Sequence, residues 1–66
     1  MRVWVNGEIK EFKRDSLTLK ELLEELGYRD GFAVALNNTF VIKGKYSTTP
    51  IKESDRVDIV APIQGG

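Results

Sequence analysis

The stretch between Thr18 and Gly27 has the signals of a single amphipathic helix. Four leucines recur at positions i, i+3, i+4 and i+7 of one helical stripe: Leu19, Leu22, Leu23 and Leu26. Thr18 and Glu21 have the spacing of a capping box at the N-terminus, and Leu17 and Leu22 have that of a hydrophobic staple. Gly27 can adopt the left-handed conformation that ends many helices, so the helix is predicted to stop there. One helix with one apolar face is therefore predicted here.

The first apolar runs of the chain predict a β-hairpin. Residues 3–5 and 8–12 have β-strand composition and are separated by Asn6-Gly7, a strong turn signal. A three-residue connection would place Val3, Val5 and Ile9 on one face and Trp4, Lys10 and Phe12 on the other. A two-residue turn would pair Trp4 with Ile9 instead. We expect the three-residue connection, because it produces a coherent apolar face.

Three more strands follow the helix. Residues 32–36 and 39–42 are apolar runs joined by Asn37-Asn38, a second tight-turn candidate, and residues 56–61 form the last strand. Residues 43–50 are hydrophilic and are expected to be irregular. One amphipathic helix can cover one face of a mixed sheet of four to five strands, so an α+β fold is predicted. A β-grasp, in which the last strand pairs inside the sheet, is compatible with this order.

The composition limits both the size of the fold and its chemistry. The 66 residues suffice for one small domain, predicted to span residues 1–66 with residues 62–66 as a flexible C-terminal tail. The chain has neither Cys nor His, which excludes disulfides, Cys/His zinc sites, a thiol nucleophile and an imidazole base. Stability must come from an apolar core, which a 41% apolar composition allows.

The remaining polar residues form no catalytic or metal site. Alternation along a strand sends Asp55 and Asp58 to different faces, and the hydroxyls of residues 47–49 have no base beside them. The glycine spacings match neither a dinucleotide fingerprint nor a phosphate loop. We therefore expect no catalytic residue, no metal and no bound cofactor, and do not expect an enzyme.

The charge balance indicates no nucleic-acid or membrane partner. Ten basic and ten acidic residues give a formal net charge of zero, and no apolar run approaches the length of a membrane span. The N-terminus lacks the apolar core of a signal peptide. A cytoplasmic protein is the expectation.

The terminal Gly65-Gly66 pair is the remaining functional candidate. Two residues without Cβ form a thin thread that a narrow channel of a partner can admit, which brings the terminal carboxylate within its reach. A carboxylate is a poor electrophile, so another enzyme would have to activate it.

Several blocks of this sequence resemble the ThiS family, the sulfur-carrier proteins of thiamine biosynthesis. They extend over essentially the whole chain: Asn6-Gly7, Thr18 with Leu22-Leu23, residues 34–37, residues 51–60 and Gly65-Gly66. Two positions depart from the family pattern. Ser54 stands where the family more often has Gly, and Tyr46 lies in a stretch where many members have Trp.

The resemblance implies a ubiquitin-like β-grasp and a carrier cycle. An E1-like adenylating enzyme would use ATP to convert the carboxylate of Gly66 into an acyl-adenylate, a persulfide protein would donate sulfur, and thiazole synthase would accept it from the resulting thiocarboxylate. Gly65 and Gln64 would give access to the terminus. The candidate partner surface consists of Trp4, Phe12 and Ile63.

Three alternatives to this function stay open at the level of sequence. The chain could be the small subunit of molybdopterin synthase or of its tungsten counterpart. It could be a ubiquitin-like modifier or a carrier for tRNA thiolation. From another class, it could be a β-grasp binding module in which Trp4 and Phe12 form an adhesive face.

Overall fold

The computed structural model describes residues 1–61, so the predicted tail at residues 62–66 lies outside the described residues. In chain order the elements are β1 (Arg2–Val5), β2 (Glu8–Glu11), β3 (Leu17–Thr18), α1 (Leu19–Glu25), β4 (Ala33–Leu36), β5 (Thr39–Val41), a 3₁₀ helix (Lys43–Thr48), β6 (Pro50–Ile51) and β7 (Arg56–Val60). The helix and the longer strands lie where the sequence predicts them. The 3₁₀ helix replaces most of a segment that was expected to be irregular.

The five longer strands form one mixed sheet in the order β2-β1-β7-β4-β5. The last strand, β7, is central: it is parallel to β1 and antiparallel to β4. With α1 as the main helix, this topology confirms the predicted α+β fold of the β-grasp type. A second sheet of two short strands, β3 and β6, was not predicted; it joins the start of α1 to the segment before β7.

The register of the first hairpin differs from the expected one. Trp4 faces Ile9 and Val5 faces Glu8, so the connection is the two-residue turn Asn6-Gly7. Both turn residues have positive φ, 50° and 84°, as in the type I′ turn whose twist matches that of the two strands. The expectation of a three-residue connection is therefore wrong.

In the observed register Phe12 lies on the inner face of the sheet and Ile9 on the outer face, the opposite of the expected arrangement. Positions 8, 10 and 12 fall on the inner face of the sheet with Val3 and Val5, because side chains alternate along a strand. Phe12 is accordingly buried, with 5% of its surface exposed, whereas Ile9 is 51% exposed on the same face as Trp4. The predicted placement of Phe12 on an outer partner surface is wrong.

Helix α1 begins and ends at the predicted signals. The Thr18 N–H donates to Glu21 Oε1 at 2.9 Å and the Glu21 N–H donates to Thr18 Oγ1 at 3.1 Å, which completes the capping box. At the other end Gly27 has φ 84° and its N–H donates to the carbonyl of Glu24 at 3.1 Å. The Tyr28 N–H donates to the carbonyl of Leu23 at 3.0 Å, so the helix ends in a Schellman motif.

The core lies between α1 and the inner face of the sheet. Leu22 is fully buried and Leu23 is 3% exposed, as expected for the apolar face predicted for the helix. They belong to one cluster with nine other buried apolar residues, which come from the strands, from the start of the helix and from the segment after β2: Val3, Val5, Phe12, Leu17, Leu19, Val34, Ile51, Val57 and Ile59. Within residues 1–61 no polar or charged residue is buried, so apolar packing alone fills this core.

Removing one leucine from this core should unfold much of the protein. Leu22→Ala is expected to lower the free energy of unfolding by about 2–5 kcal/mol, because it leaves a cavity in a fully buried site. A domain of this size has only about 3–5 kcal/mol in total. Thermal unfolding followed by circular dichroism measures the change, with the exposed Lys20→Ala on the same helix as control. A shift of only a few degrees for Leu22→Ala would contradict the packing described here.

Two carboxylates of the described chain have lowered pKa values. The Thr18 N–H lowers the pKa of Glu21, and Arg14 Nη2, which donates to Glu21 Oε2 at 2.8 Å, lowers it further. The Arg2 N–H, which donates to Glu53 Oε1 at 3.0 Å, likewise lowers the pKa of Glu53. The folded protein therefore favours the charged form of both carboxylates.

Stability should consequently decrease in acid. A group whose pKa is lower in the folded than in the unfolded state stabilises the fold above its unfolded pKa, and this contribution is lost as the pH falls through the folded pKa. The free energy of unfolding should therefore fall as the pH drops below the ordinary carboxyl range. Glu21→Gln keeps a capping group but has no charge to titrate, so urea unfolding across this pH range should show a shallower decrease.

Glu24→Gln is the matched control for this experiment. Glu24 lies on the same helix but forms no ion pair within residues 1–61. If the decrease of the free energy of unfolding in acid becomes shallower by the same amount in both variants, the cap of α1 does not cause this decrease.

Candidate functional site

The functional site predicted from the sequence begins where β7 ends. Val60 is the last residue of β7 and Ala61 is the last described residue; we call these two the tail root. Val60 faces Ala33 across the sheet, so the tail root lies beside the start of β4. Gly66, Gly65, Gln64 and Ile63 lie outside the described residues, and their predicted roles stay predictions.

Two asparagine side chains fix β7 in the sheet. Asn6 Oδ1 accepts from the Ile59 N–H at 2.7 Å, and the Asn6 N–H donates to the carbonyl of Val57 at 2.9 Å. Asn37 Oδ1 accepts from the Arg56 N–H at 2.9 Å, while its Nδ2 donates to Asp55 at 3.1 Å. The sequence predicts both asparagines only as turn residues. Their position at turns, where an amide can also bind a neighbouring backbone, was the available signal.

The outer face of the sheet has an apolar surface next to the tail root. Phe40, Ile42 and Val60 are 75%, 68% and 62% exposed. Phe40 faces Ala35 and Val60 faces Ala33, so three adjacent strands contribute to one continuous surface. We call these five residues the tail-root patch. Large apolar side chains that are exposed together mark interaction sites more often than single ones do.

Trp4 and Ile9 form a second, smaller apolar surface, which we call the hairpin patch. Trp4 is 42% exposed and faces Arg56 at the start of β7. Arg56 Nε donates to Asp58 Oδ2 at 3.1 Å, so an ion pair lies on the outer face between the two patches. Arg56 and Val60 are four positions apart along β7, which corresponds to about 13 Å at the usual rise of a strand. Phe40 is opposite Ala35, which pairs with Asp58. Phe40 therefore lies two positions from the level of Val60 along the strand direction, whereas Trp4 lies four.

Asp55, Thr48 and Thr49 form hydrogen bonds with structural roles. Asp55 Oδ2 accepts from the Lys52 N–H at 2.8 Å and closes the turn before β7. The hydroxyls of Thr48 and Thr49 donate to the carbonyl of Lys45 at 3.3 and 2.6 Å. These groups stabilise turns and the 3₁₀ helix, and no chemistry follows from their positions.

The described part of the chain contains no assembled metal or membrane site. No group of three or more acidic, His or Cys side chains lies close enough to hold a metal ion within residues 1–61. No helix in this range is long and apolar enough to cross a membrane.

Comparison with known proteins decides the family. The profile of the ThiS family matches residues 3–66, nearly the full chain. The chain belongs to the ThiS family. The resemblance inferred from the sequence blocks is thereby confirmed.

Two curated relatives illustrate the ThiS relationship. The sulfur carrier protein ThiS of Thermus thermophilus is 40% identical over 65 residues, which cover 97% of this chain and 98% of that protein. A thiazole synthase of Paramagnetospirillum magneticum is 37% identical over 67 residues. That match covers all of this chain but only 20% of the synthase.

Solved structures of the ThiS family share the fold. The crystal structure of the thiamine biosynthesis protein ThiS from Geobacter metallireducens has a TM-score of 0.86 and 28% identity, and covers 100% of both chains. The solution structure of a thiamine biosynthesis protein from the same organism has a TM-score of 0.84 and 28% identity, over 100% of this chain and 88% of that one.

The structure also explains one departure from the ThiS pattern. Ser54 has φ 69°, a left-handed conformation that residues with a Cβ seldom adopt. Glycine accepts this conformation without steric cost, which is a physical reason to expect glycine there.

Proposed function

We propose that this chain is a sulfur carrier protein of thiamine biosynthesis and that the carboxylate of Gly66 is the group that carries sulfur. The observation that carries the proposal is the match to the Thermus thermophilus sulfur carrier, which covers almost the full length of both proteins. The β-grasp supports it, since β7 leads directly from the centre of the sheet to residues 62–66. The chain is accordingly a carrier and a co-substrate, not an enzyme.

The proposed cycle assigns the reactive chemistry to partner enzymes. An E1-like adenylating enzyme with bound ATP lets the Gly66 carboxylate attack the α-phosphorus, which releases pyrophosphate and forms an acyl-adenylate. A protein persulfide then attacks the acyl carbon and displaces AMP. A second thiol cleaves the resulting acyl disulfide, which leaves the thiocarboxylate on Gly66 and a disulfide on the donor. ATP belongs to the enzyme, and we propose no cofactor bound to the carrier.

Thiazole synthase is the proposed acceptor of the sulfur. A protein named thiazole synthase contains a segment similar to this entire chain, so the carrier fold and the synthase occur in one polypeptide there. This association favours the thiamine pathway over molybdenum-cofactor synthesis and tRNA thiolation. The identity of the sulfur donor and the cytoplasmic location stay predictions.

The tail-root patch is the proposed docking surface for the adenylating enzyme. Five residues follow Ala61, and an extended chain spans at most about 3.6 Å per residue, so Gly66 lies within about 18 Å of the tail root. An enzyme that binds Gly66 therefore comes within about 18 Å of this end of the sheet. Phe40, Ile42 and Val60 are the large apolar side chains that it meets there.

The carrier function predicts a change at the C-terminus alone. Incubation with the adenylating enzyme, ATP and a persulfide donor should add the mass difference of one oxygen replaced by sulfur, and peptide mass spectrometry should map it to Gly66. Deleting Gly66 should abolish the modification, because a carboxylate displaced by one residue misses the reacting geometry. Gly65→Val should reduce it, since a β-branched side chain thickens and stiffens the thread.

Folding provides the control for these tail variants. Residues 62–66 lie beyond the described core, so both variants should unfold at the temperature of the unmodified chain. Unchanged thiocarboxylate formation after deletion of Gly66 would refute the carrier function.

A separate prediction concerns the docking surface. Phe40→Ser should raise the KM for the carrier in the adenylation reaction, while its free energy of unfolding changes by only about 0.5 kcal/mol, as is usual for exposed sites. Trp4→Ser should have a smaller effect on KM, because Trp4 lies farther from the tail root. Lys13→Ser, exposed and without an ion pair within residues 1–61, is the control. A larger effect of Trp4→Ser would assign docking to the hairpin patch.

A further inference from the structure

A cleft of about 560 Å³ lies on the helix side of the molecule, between α1, the loop after it and the 3₁₀ helix. Three aromatic residues line it: Tyr28, Phe32 and Tyr46. Phe32 and Tyr46 stack with ring centroids 6.1 Å apart and planes 8° apart, and Tyr28 meets Phe32 edge-on at 5.5 Å. Leu23, the helix leucine that is 3% exposed, also lines the cleft. The volume lies within the range of ligand and side-chain binding sites.

The charges around this aromatic cleft are unbalanced. Three cations and one carboxylate line it: Lys20, Arg29, Lys43 and Glu24. Lys43 Nζ lies 3.2 Å from Asp30, but Lys20 and Arg29 form no ion pair with any residue that the structure describes. The arginines Arg2, Arg14 and Arg56 are all paired. The cleft therefore combines aromatic walls with two cations that the fold leaves available.

The cleft adjoins the tail root. Ala33 faces Val60 in the sheet, and the antiparallel register therefore places the preceding residue, Phe32, beside Ala61. The cleft and the tail-root patch lie on opposite faces of the sheet at this end. An enzyme that holds Gly66 within about 18 Å of the tail root is close enough to reach the cleft.

We infer that the cleft is a docking site for a segment of thiazole synthase that carries a carboxylate next to an aromatic side chain. The carboxylate pairs with Lys20 and Arg29, and the aromatic ring packs on Tyr46 and Phe32. Aromatic side chains in desolvated pockets supply much of the binding energy of protein interfaces, and complementary charges orient the partners.

Thiazole synthase is the chosen partner because a protein of that name contains the equivalent of this whole chain. The inference rests on the proposed carrier function in its choice of partner. It goes beyond that function by assigning a second surface, distinct from the tail-root patch.

Charge reversal in the cleft tests the inference. The full-length carrier with Lys20→Glu and Arg29→Glu is titrated against thiazole synthase by isothermal titration calorimetry at low and high salt. We expect the dissociation constant to rise about tenfold or more at low salt, and less at high salt, because paired charges at an interface rim are screened. The matched control is Lys13→Glu with Lys52→Glu, which alters the net charge equally at exposed cations outside the cleft that form no ion pair within residues 1–61. It should change the constant less than twofold.

A second variant tests the aromatic walls. Tyr46→Leu keeps most of the bulk of this half-buried side chain but removes the ring that stacks on Phe32. It should weaken synthase binding while thermal unfolding stays within a few degrees of the unmodified chain. If Tyr46→Leu unfolds the protein, the affinity of the charge-reversal variant alone decides whether the cleft is the docking site.

The outcomes separate the inference from the proposed function. Equal affinity of the cleft and control variants for the synthase overturns the docking site, even when the carrier still forms a thiocarboxylate. An equal loss of affinity for the adenylating enzyme overturns the assignment to the synthase. Absence of any thiocarboxylate on the unmodified chain refutes the carrier function, whereas the binding comparison uses unloaded carrier and is decided independently.

Discussion

The packing of one short helix on the inner face of the sheet is the contact on which this fold depends. A seven-residue helix is too short to persist alone in water, so α1 exists because its leucines are buried. The inward valines of β1, β4 and β7 in turn are shielded from water by those leucines. Without Cys or His, the chain has no disulfide and no Cys/His-type zinc site to supplement this contact. The capping box and the Schellman motif define where the helix begins and ends, and thereby keep its apolar stripe on the sheet.

How much of the fold was predictable depended on whether the signal was local. Both ends of the helix could be predicted because Thr18 and Glu21 cap its first turn and Gly27 ends its last turn. The hairpin register was not, because Ile9 and Phe12 are both apolar and either can face the core; the twist preference of the Asn6-Gly7 turn decides between them. The pair β3 and β6 escaped prediction because strands of two residues show no periodicity.

The candidate site was less predictable than the fold, for a physical reason. The exposure of Phe40 and Ile42 follows from strand order, since β5 lies at the sheet edge with its outer face uncovered by the helix. The cleft requires Tyr28 and Tyr46, eighteen residues apart in sequence, to meet around Phe32. Neither arrangement has a local signature. The terminal glycines could be identified as candidate functional residues from the sequence, because only their residue type and their position are needed.

The central position of β7 has a consequence for how the protein is made. During synthesis the hairpin and the helix emerge first, but the middle of the sheet stays vacant until β7 has been translated. Pairing between β1 and β7 joins segments more than fifty residues apart, the kind of non-local contact that slows folding. The tail-root patch combines β4, β5 and β7, so it assembles only after β7 has paired with β4. An enzyme that requires this patch would thus ignore nascent or misfolded chains, and only a finished domain would enter the sulfur cycle.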